Sequence, residues 1–239
     1  MSDEKFRAEI KAMMPFDWVT VRGADAFDEW SRLKAAGRGY PIVVGSDDDL
    51  ENLAEGYEIN QEDDVTRQGY DVQRVLEAAA GLSIPDDLPD YDPKSETKNA
   101  AKDEEWPDDV SPSPELAAAV DISTGEFHDR VHILLVPAQA SWEVPAYLRF
   151  GGWNACPYPA VHVAALRFWH ERYGVELVGL GSDTMNLLGT RTPATRQEAL
   201  ELAYAQYCYC GDIVDQGVET ISALAASLMA SKWWYFWWD

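Results

Sequence analysis

Pro41-Ile42-Val43-Val44-Gly45 is a compact apolar run, rich in β-branched side chains and closed by glycine, and it reads as a buried strand. Upstream, Trp18-Val19-Thr20-Val21 reads as a second short strand. Between them Ala24 to Ala36 reads as a helix with Phe27, Trp30 and Leu33 on one face, ended by Gly37 and Gly39. Strand, helix and strand in that order predict a parallel pair. Working outward, Val65 to Ala80 reads as a further helix, and Val131-His132-Ile133-Leu134-Leu135-Val136 as a strand stopped by Pro137. Pro159 stands at a first helical position, and that helix runs to Tyr173, where Gly174 supplies the left-handed residue that closes it.

Residues 175–180 and 184–190 read as a hairpin around Gly181-Ser182-Asp183. Thr195-Arg196-Gln197-Glu198 has the form of a capping box and opens another helix, and a last helix spans Val218 to Ala230. Trp233 to Trp238 is apolar on both faces, which predicts a strand buried between two layers. The helix containing Trp169 leads into Val175 to Asp183 much as the helix containing Trp30 leads into Val43 to Asp47, a likeness too common to establish a duplication. The fold class expected is α/β or α+β, a mixed sheet flanked by helices.

Acidic residues exceed basic ones by 42 to 19, and the excess is local. From Asp47 to Asp64 there are nine acids and no base, and from Ile84 to Glu115 eleven acids, three lysines and six of the thirteen prolines. The second stretch reads as an acidic, proline-rich linker. It divides the chain into an N-terminal α/β region (1–84), a linker (85–115) and an aromatic-rich C-terminal domain (116–239). Such charge disfavours binding to a nucleic-acid backbone, which needs basic patches, and leaves open a basic partner or a solvated surface. The N-terminus has no secretory pattern, no stretch is long and apolar enough for a bilayer, and the three cysteines form no disulfide framework, so a cytoplasmic protein is expected.

Gly151-Gly152-Trp153-Asn154-Ala155-Cys156-Pro157, Trp169-His170-Glu171-Arg172-Tyr173-Gly174 and Tyr235-Phe236-Trp237-Trp238-Asp239 resemble the motifs of the bacterial family catalogued as domain of unknown function 4253. Tyr209-Cys210-Gly211-Asp212-Ile213-Val214-Asp215-Gln216-Gly217 is similar to another of its blocks, with Gly211 where members carry proline. The resemblance covers 131–239 and implies membership only, because that family has no established activity.

Four groups of residues have chemistry to offer. Cys156 precedes a helix N-terminus, where a dipole lowers a thiol pKa, and His162 follows close enough to act as its base; a small residue packed in an aromatic loop is the alternative. His162 and His170 are separated by ~12 Å along one helix, and Cys208 and Cys210 project about 200° apart, so neither pair chelates; a site assembled from distant segments, such as Cys156, His162 and Cys210, is the one route left, and no metal or other cofactor is expected. Asp212 and Asp215, three apart, suit acid–base work, a cation or the capping of the next helix. Asp47-Asp48-Asp49, after the Pro41 strand, lies where α/β proteins place ligands, but Ser46 and Asp49 have capping spacing. Phosphate-loop, nucleophile-elbow and dinucleotide signatures are missing. Seventeen of the twenty-eight aromatics lie from Trp142 onward. They form a core, or a groove in which Trp153 and Trp238 stack on a ligand oriented by Asn154, Gln216 and Asp239. A non-catalytic module that binds a protein or small ligand is therefore expected, with a Cys156/His162 enzyme and an acidic neutraliser of a basic partner, such as a toxin, as alternatives.

Overall fold

The computed structural model describes residues 3–60, 69–101, 104–108, 110 and 113–239. Its elements, in chain order, are α1 (Asp3–Met13), β1 (Asp17–Val21), α2 (Ala26–Ala36), β2 (Tyr40–Gly45), α3 (Asp47–Ile59), α4 (Val72–Ala80), α5 (Glu96–Ala100) and β3 (Val131–Val136). Then follow α6 (Val144–Leu148), α7 (Pro159–Tyr173), β4 (Glu176–Leu180), β5 (Thr184–Leu188), α8 (Arg196–Tyr209), a π-helical turn (Ile213–Val218), α9 (Ile221–Ala230) and β6 (Trp233–Trp237). Residues 65–68 of the expected helix over Val65 to Ala80 lie outside the described residues.

The strands form one mixed six-stranded sheet in the order β1-β3-β2-β4-β5-β6, with helices packed around it, so the fold class is the expected one. The parallel pair is different from the one predicted. β3 enters between β1 and β2, antiparallel to both, and β2 takes β4 as its parallel neighbour, with Val43 opposite Gly179. Those two strands are the segments whose sequences echo one another. Each of β1, β2, β4 and β6 therefore points the same way, and their carboxyl ends gather at one end of the sheet.

Dividing the chain at 85–115 does not divide the sheet. β3 follows that stretch in sequence yet separates two strands that precede it, and Ile84, Leu88 and Ala101 are buried in the same core as β2 and β4. Its described residues pack: Tyr91 lies on Tyr204 of α8, Arg196 reaches the Trp106 ring, and the Glu104 carboxylate accepts from Ser222 N in α9. Composition identified a proline-rich acidic chain, but its sparse apolar residues suffice to hold it against α8 and α9.

β6 lies at the edge of the sheet rather than between two layers. Its alternation assigns the faces. Trp234 and Phe236 are buried; Phe236 stacks on Trp169 of α7 with centroids 5.8 Å apart, and Tyr209 of α8 stands edge-on to it at 5.1 Å. Trp233, Tyr235 and Trp237 project from the other face and stay half-exposed. On that face the Asn186 side chain holds Glu115 O and Ala118 N, fixing residues 115–119 against the sheet. Each buried aromatic removes ~150–250 Å² from water, so this cluster is a main source of stability at the β6 end.

Candidate functional site

The Gly151–Pro157, Tyr209–Gly217 and Tyr235–Asp239 blocks meet at the end of the sheet where β4 and β6 finish, whereas Trp169–Gly174 closes α7 at the other end. α7 begins at Pro159, whose fixed φ suits the first helical position, and it carries His162 into the core directly behind the Gly151–Pro157 loop. That loop turns through Gly151 at φ 107°, where a Cβ would come within 2.0 Å of Pro157 O and 2.7 Å of His162 Nε2. Only glycine leaves room there.

Cys156 Sγ lies 3.4 Å from His162 Nε2, and His162 Nδ1 lies 2.5 Å from the Tyr209 hydroxyl. Nucleophile, base and orienting group are thus aligned, the arrangement required for an activated thiol. Their surroundings oppose activation. Cys156, His162 and Tyr209 are all buried, with Phe150 and Trp238 closing over the imidazole at centroid distances of 5.2 and 5.4 Å. Burial raises the Cys156 thiol far above its ordinary range, so the dipole expectation is overturned by desolvation. Burial also lowers His162 to about 3, against a smaller opposing effect of the Pro157 carbonyl.

The tautomer turns on the Tyr209 hydroxyl, which also reaches Met185 Sδ at 3.6 Å. With the hydroxyl proton given to Nδ1, Nε2 carries the imidazole proton; with it given to Met185 Sδ, Nδ1 carries the proton and Nε2 accepts from the Cys156 thiol. In either form the trio is a hydrogen-bonded network inside an aromatic core.

The other candidates meet at the rim. Asn154 Nδ2 donates to Asp239 O at 3.0 Å, Asp239 N donates to Asp212 Oδ2 at 3.0 Å, and Gln216 Nε2 donates to Asp212 Oδ1 at 3.1 Å. Asn154, Asp212, Gln216 and Asp239 thus bind one another and hold residue 239 in place. Asp212 does not cap the following helix, as expected from its position; Thr220 does, accepting from Ala223 N. Asp215 is exposed and belongs to the π-helical turn. Trp153 is half-buried against Phe150, and Trp238 is buried, so Trp238 is core rather than a stacking surface. Among the described residues no cluster of His, Cys, Asp and Glu is gathered to hold a metal ion, and the three cysteines are free thiols.

A cleft of about 480 Å³ opens beside this network, outside the carboxyl ends of β2, β4 and β6. Its floor is the exposed face of β6, where the Tyr235 and Trp237 rings stack at 5.6 Å and 27°. Its walls carry Asp48, Asp49, Asp121 and Asp183, against His128 as the basic group. Two of these acids are engaged: Asp49 completes the capping box of α3 with Ser46, and Asp121 accepts from Ser123 and Thr124. Asp48 and Asp183 are exposed and have no cationic partner among the described residues. Burial raises the Tyr235 hydroxyl to about 12, with the Asp183 charge adding to the shift. The Asp47 to Asp49 run was visible in the sequence; Asp183, Tyr235 and Trp237 were read there as turn and core, and only the strand alternation of β6 signals their exposure.

Residues 132–239 match the family described as Domain of unknown function (DUF4253). The C-terminal part of the chain resembles that family. No curated protein and no solved structure matches the chain. The DUF4253 match begins within β3 and contains β4, β5 and β6, together with Cys156, His162, Tyr209, Asp183, Tyr235 and Trp237. It omits β2, which stands between β3 and β4 and brings Asp48 and Asp49 to the cleft. Among the described residues no helix is long and apolar enough to cross a membrane.

Proposed function

We propose that this protein is a cytoplasmic, non-catalytic binding module whose cleft at the carboxyl ends of β2, β4 and β6 takes the cationic side chains of a basic protein segment. The observation that carries this reading is the pairing of two uncompensated carboxylates, Asp48 and Asp183, with the stacked Tyr235 and Trp237 rings. An ammonium or guanidinium group over such rings gains cation–π attraction, and the flanking carboxylates supply charge complementarity. The net charge of −23 favours encounter with a basic partner at long range. The acidic neutraliser considered from composition becomes, in this reading, a module with a defined cleft.

Calorimetric titration with a tetralysine peptide tests it. Binding is expected to weaken at least about tenfold in Asp48→Asn/Asp183→Asn and to persist in Asp28→Asn/Glu171→Gln, which removes the same charge from exposed acids elsewhere. Equal weakening in both variants would reduce the effect to net charge and overturn the assignment of the cleft.

A Cys/His enzyme remains the second reading because Cys156 Sγ and His162 Nε2 are within reach of one another. It requires the loop carrying Cys156 to open and Nε2 to accept the thiol proton. Turnover abolished by Cys156→Ala would establish it over the binding reading.

A further inference from the structure

Trp233, Tyr235 and Trp237 stand in one row on the half-exposed face of β6. The acidic cleft occupies the Tyr235 and Trp237 end of that row. The Trp233 end carries a second hollow of about 510 Å³, and its character is different. Phe27, Leu116, Val120, Phe127, Leu188 and Trp233 line it, with Glu115 as the one charged residue among those described. The two hollows share Ala117 and Val120, which belong to the segment laid across the sheet. They are therefore neighbours on either side of a single chain.

The walls of the apolar hollow are fixed by backbone bonds. Asn186 holds Glu115 O and Ala118 N, His128 N donates to Ala119 O at 3.0 Å, and Gly23 N donates to His128 O at 2.8 Å. A Cβ at Gly23 would meet Ala119 O at 2.3 Å, so glycine is what lets the segment close on the α2 side. The mouth nevertheless stays uncovered. Phe127 is 60% exposed, and Phe27 is 38% exposed although it touches both Trp30 and Trp233. Two phenylalanines at the mouth of one hollow differ from the single apolar residues scattered over any surface, and such a patch marks a contact. The surroundings select its occupant. A second copy of the chain brings another net charge of −23 and its own acidic cleft against this one, so repulsion opposes it. A segment both basic and apolar meets no such repulsion: its cations are drawn to Asp48, Asp183 and Glu115, and its apolar group finds Trp233 and the two phenylalanines.

We propose that this hollow takes a bulky apolar side chain of the same basic segment, so that the partner is recognised by an apolar anchor set beside its cationic residues. The proposal rests on the reading of the acidic cleft given above. The row on β6 also sets the spacing. At ~3.3 Å per residue, Trp233 stands about 7 Å from Tyr235 and about 13 Å from Trp237 along the strand. An extended partner therefore carries its anchor two to four residues from the lysine or arginine that lies over those rings.

Calorimetric titration of the full chain with capped tetralysine peptides tests it, each extended through Gly-Gly by a leucine or by a serine, and each made in both chain directions. In one direction the leucine peptide is expected to bind at least about tenfold more tightly than its serine counterpart. Phe127→Ser removes an exposed wall and Ala24→Gln sets a longer polar side chain at the mouth; each is expected to erase that gain while the serine peptides bind as they do to the wild type. Equal affinity of leucine and serine peptides in both directions overturns the anchor and leaves the acidic cleft standing. A wild type that binds none of the peptides removes the cleft reading and the anchor with it. A gain that survives both variants puts the leucine elsewhere and also overturns the assignment. Sedimentation of the free chain covers the competing occupant: a dimer that Phe127→Ser dissolves would give the hollow to a second copy instead.

Discussion

Burial governs the protonation of His162 more than either of its hydrogen bonds, and this makes the residue a determinant of acid stability. Its folded pKa of about 3 lies below the ordinary histidine value of about 6.5, so the unfolded chain takes up a proton that the folded chain refuses. The contribution is complete above about 6.5 and is lost as pH falls towards 3. Each unit corresponds to about 1.4 kcal/mol, so His162 alone should remove about 2 kcal/mol between pH 6.5 and pH 5. His132 acts in the same sense, lowered by desolvation against the attraction of Asp47. Urea unfolding across that interval measures the slope; a flat profile would mean that His162 takes up its proton in the native state as readily as in the unfolded chain. Spacing made the Cys156–His162 pair legible, because six residues across a helix start bring the two together. Tyr209, a further 47 positions along the chain, was not legible as their partner, because it meets His162 only through the packing of α7 against α8 and β6.

At the scale of elements, neighbouring acids at the start of α3 have separate duties. Asp49 accepts from Ser46 N and Oγ at 2.7 Å each, and its backbone N–H is capped by Ser46 Oγ. Asp48 makes no such bond and faces the cleft. Asp49→Ala is therefore expected to cost about 1 kcal/mol of stability, or somewhat more, through the lost cap. Asp48→Asn should leave thermal stability within about 0.5 kcal/mol and weaken tetralysine binding. Denaturation and titration of the two variants side by side check the division, and a stability loss in Asp48→Asn as large as that in Asp49→Ala would abolish it. The same scale shows what periodicity could and could not reveal. Ser46 with Asp49, Pro159 with Gly174 and Thr195 with Glu198 marked helix ends because capping is local chemistry. β6 was misjudged as doubly buried because six aromatics in succession conceal the alternation that burial later imposes.

For the whole molecule, the deciding fact is that the sheet is closed across its middle by a strand from the N-terminal region. Composition divided the chain at the acidic, proline-rich stretch 85–115, yet pairing order is set by contacts that no local pattern encodes. Without β2, β3 and β4 are left on either side of a missing strand, and β3 loses β1 on its other edge as well. The buried Ile42, Val43 and Val44 side chains leave with β2, and their loss strips apolar cover from Val131, Ile133 and Val178. A chain limited to 116–239 is thus expected to lack a cooperative unfolding transition, although it contains the whole DUF4253 match. Mixing it with a separately produced 1–101 segment should restore the transition and the near-ultraviolet signal of the packed tryptophans, since the interleaved strands fold only together. The intact chain should unfold in one transition by fluorescence and by far-ultraviolet circular dichroism alike. If 116–239 alone melts cooperatively with native aromatic signals, β2 is dispensable, and the acidic wall it contributes to the cleft is an addition to a self-sufficient aromatic domain.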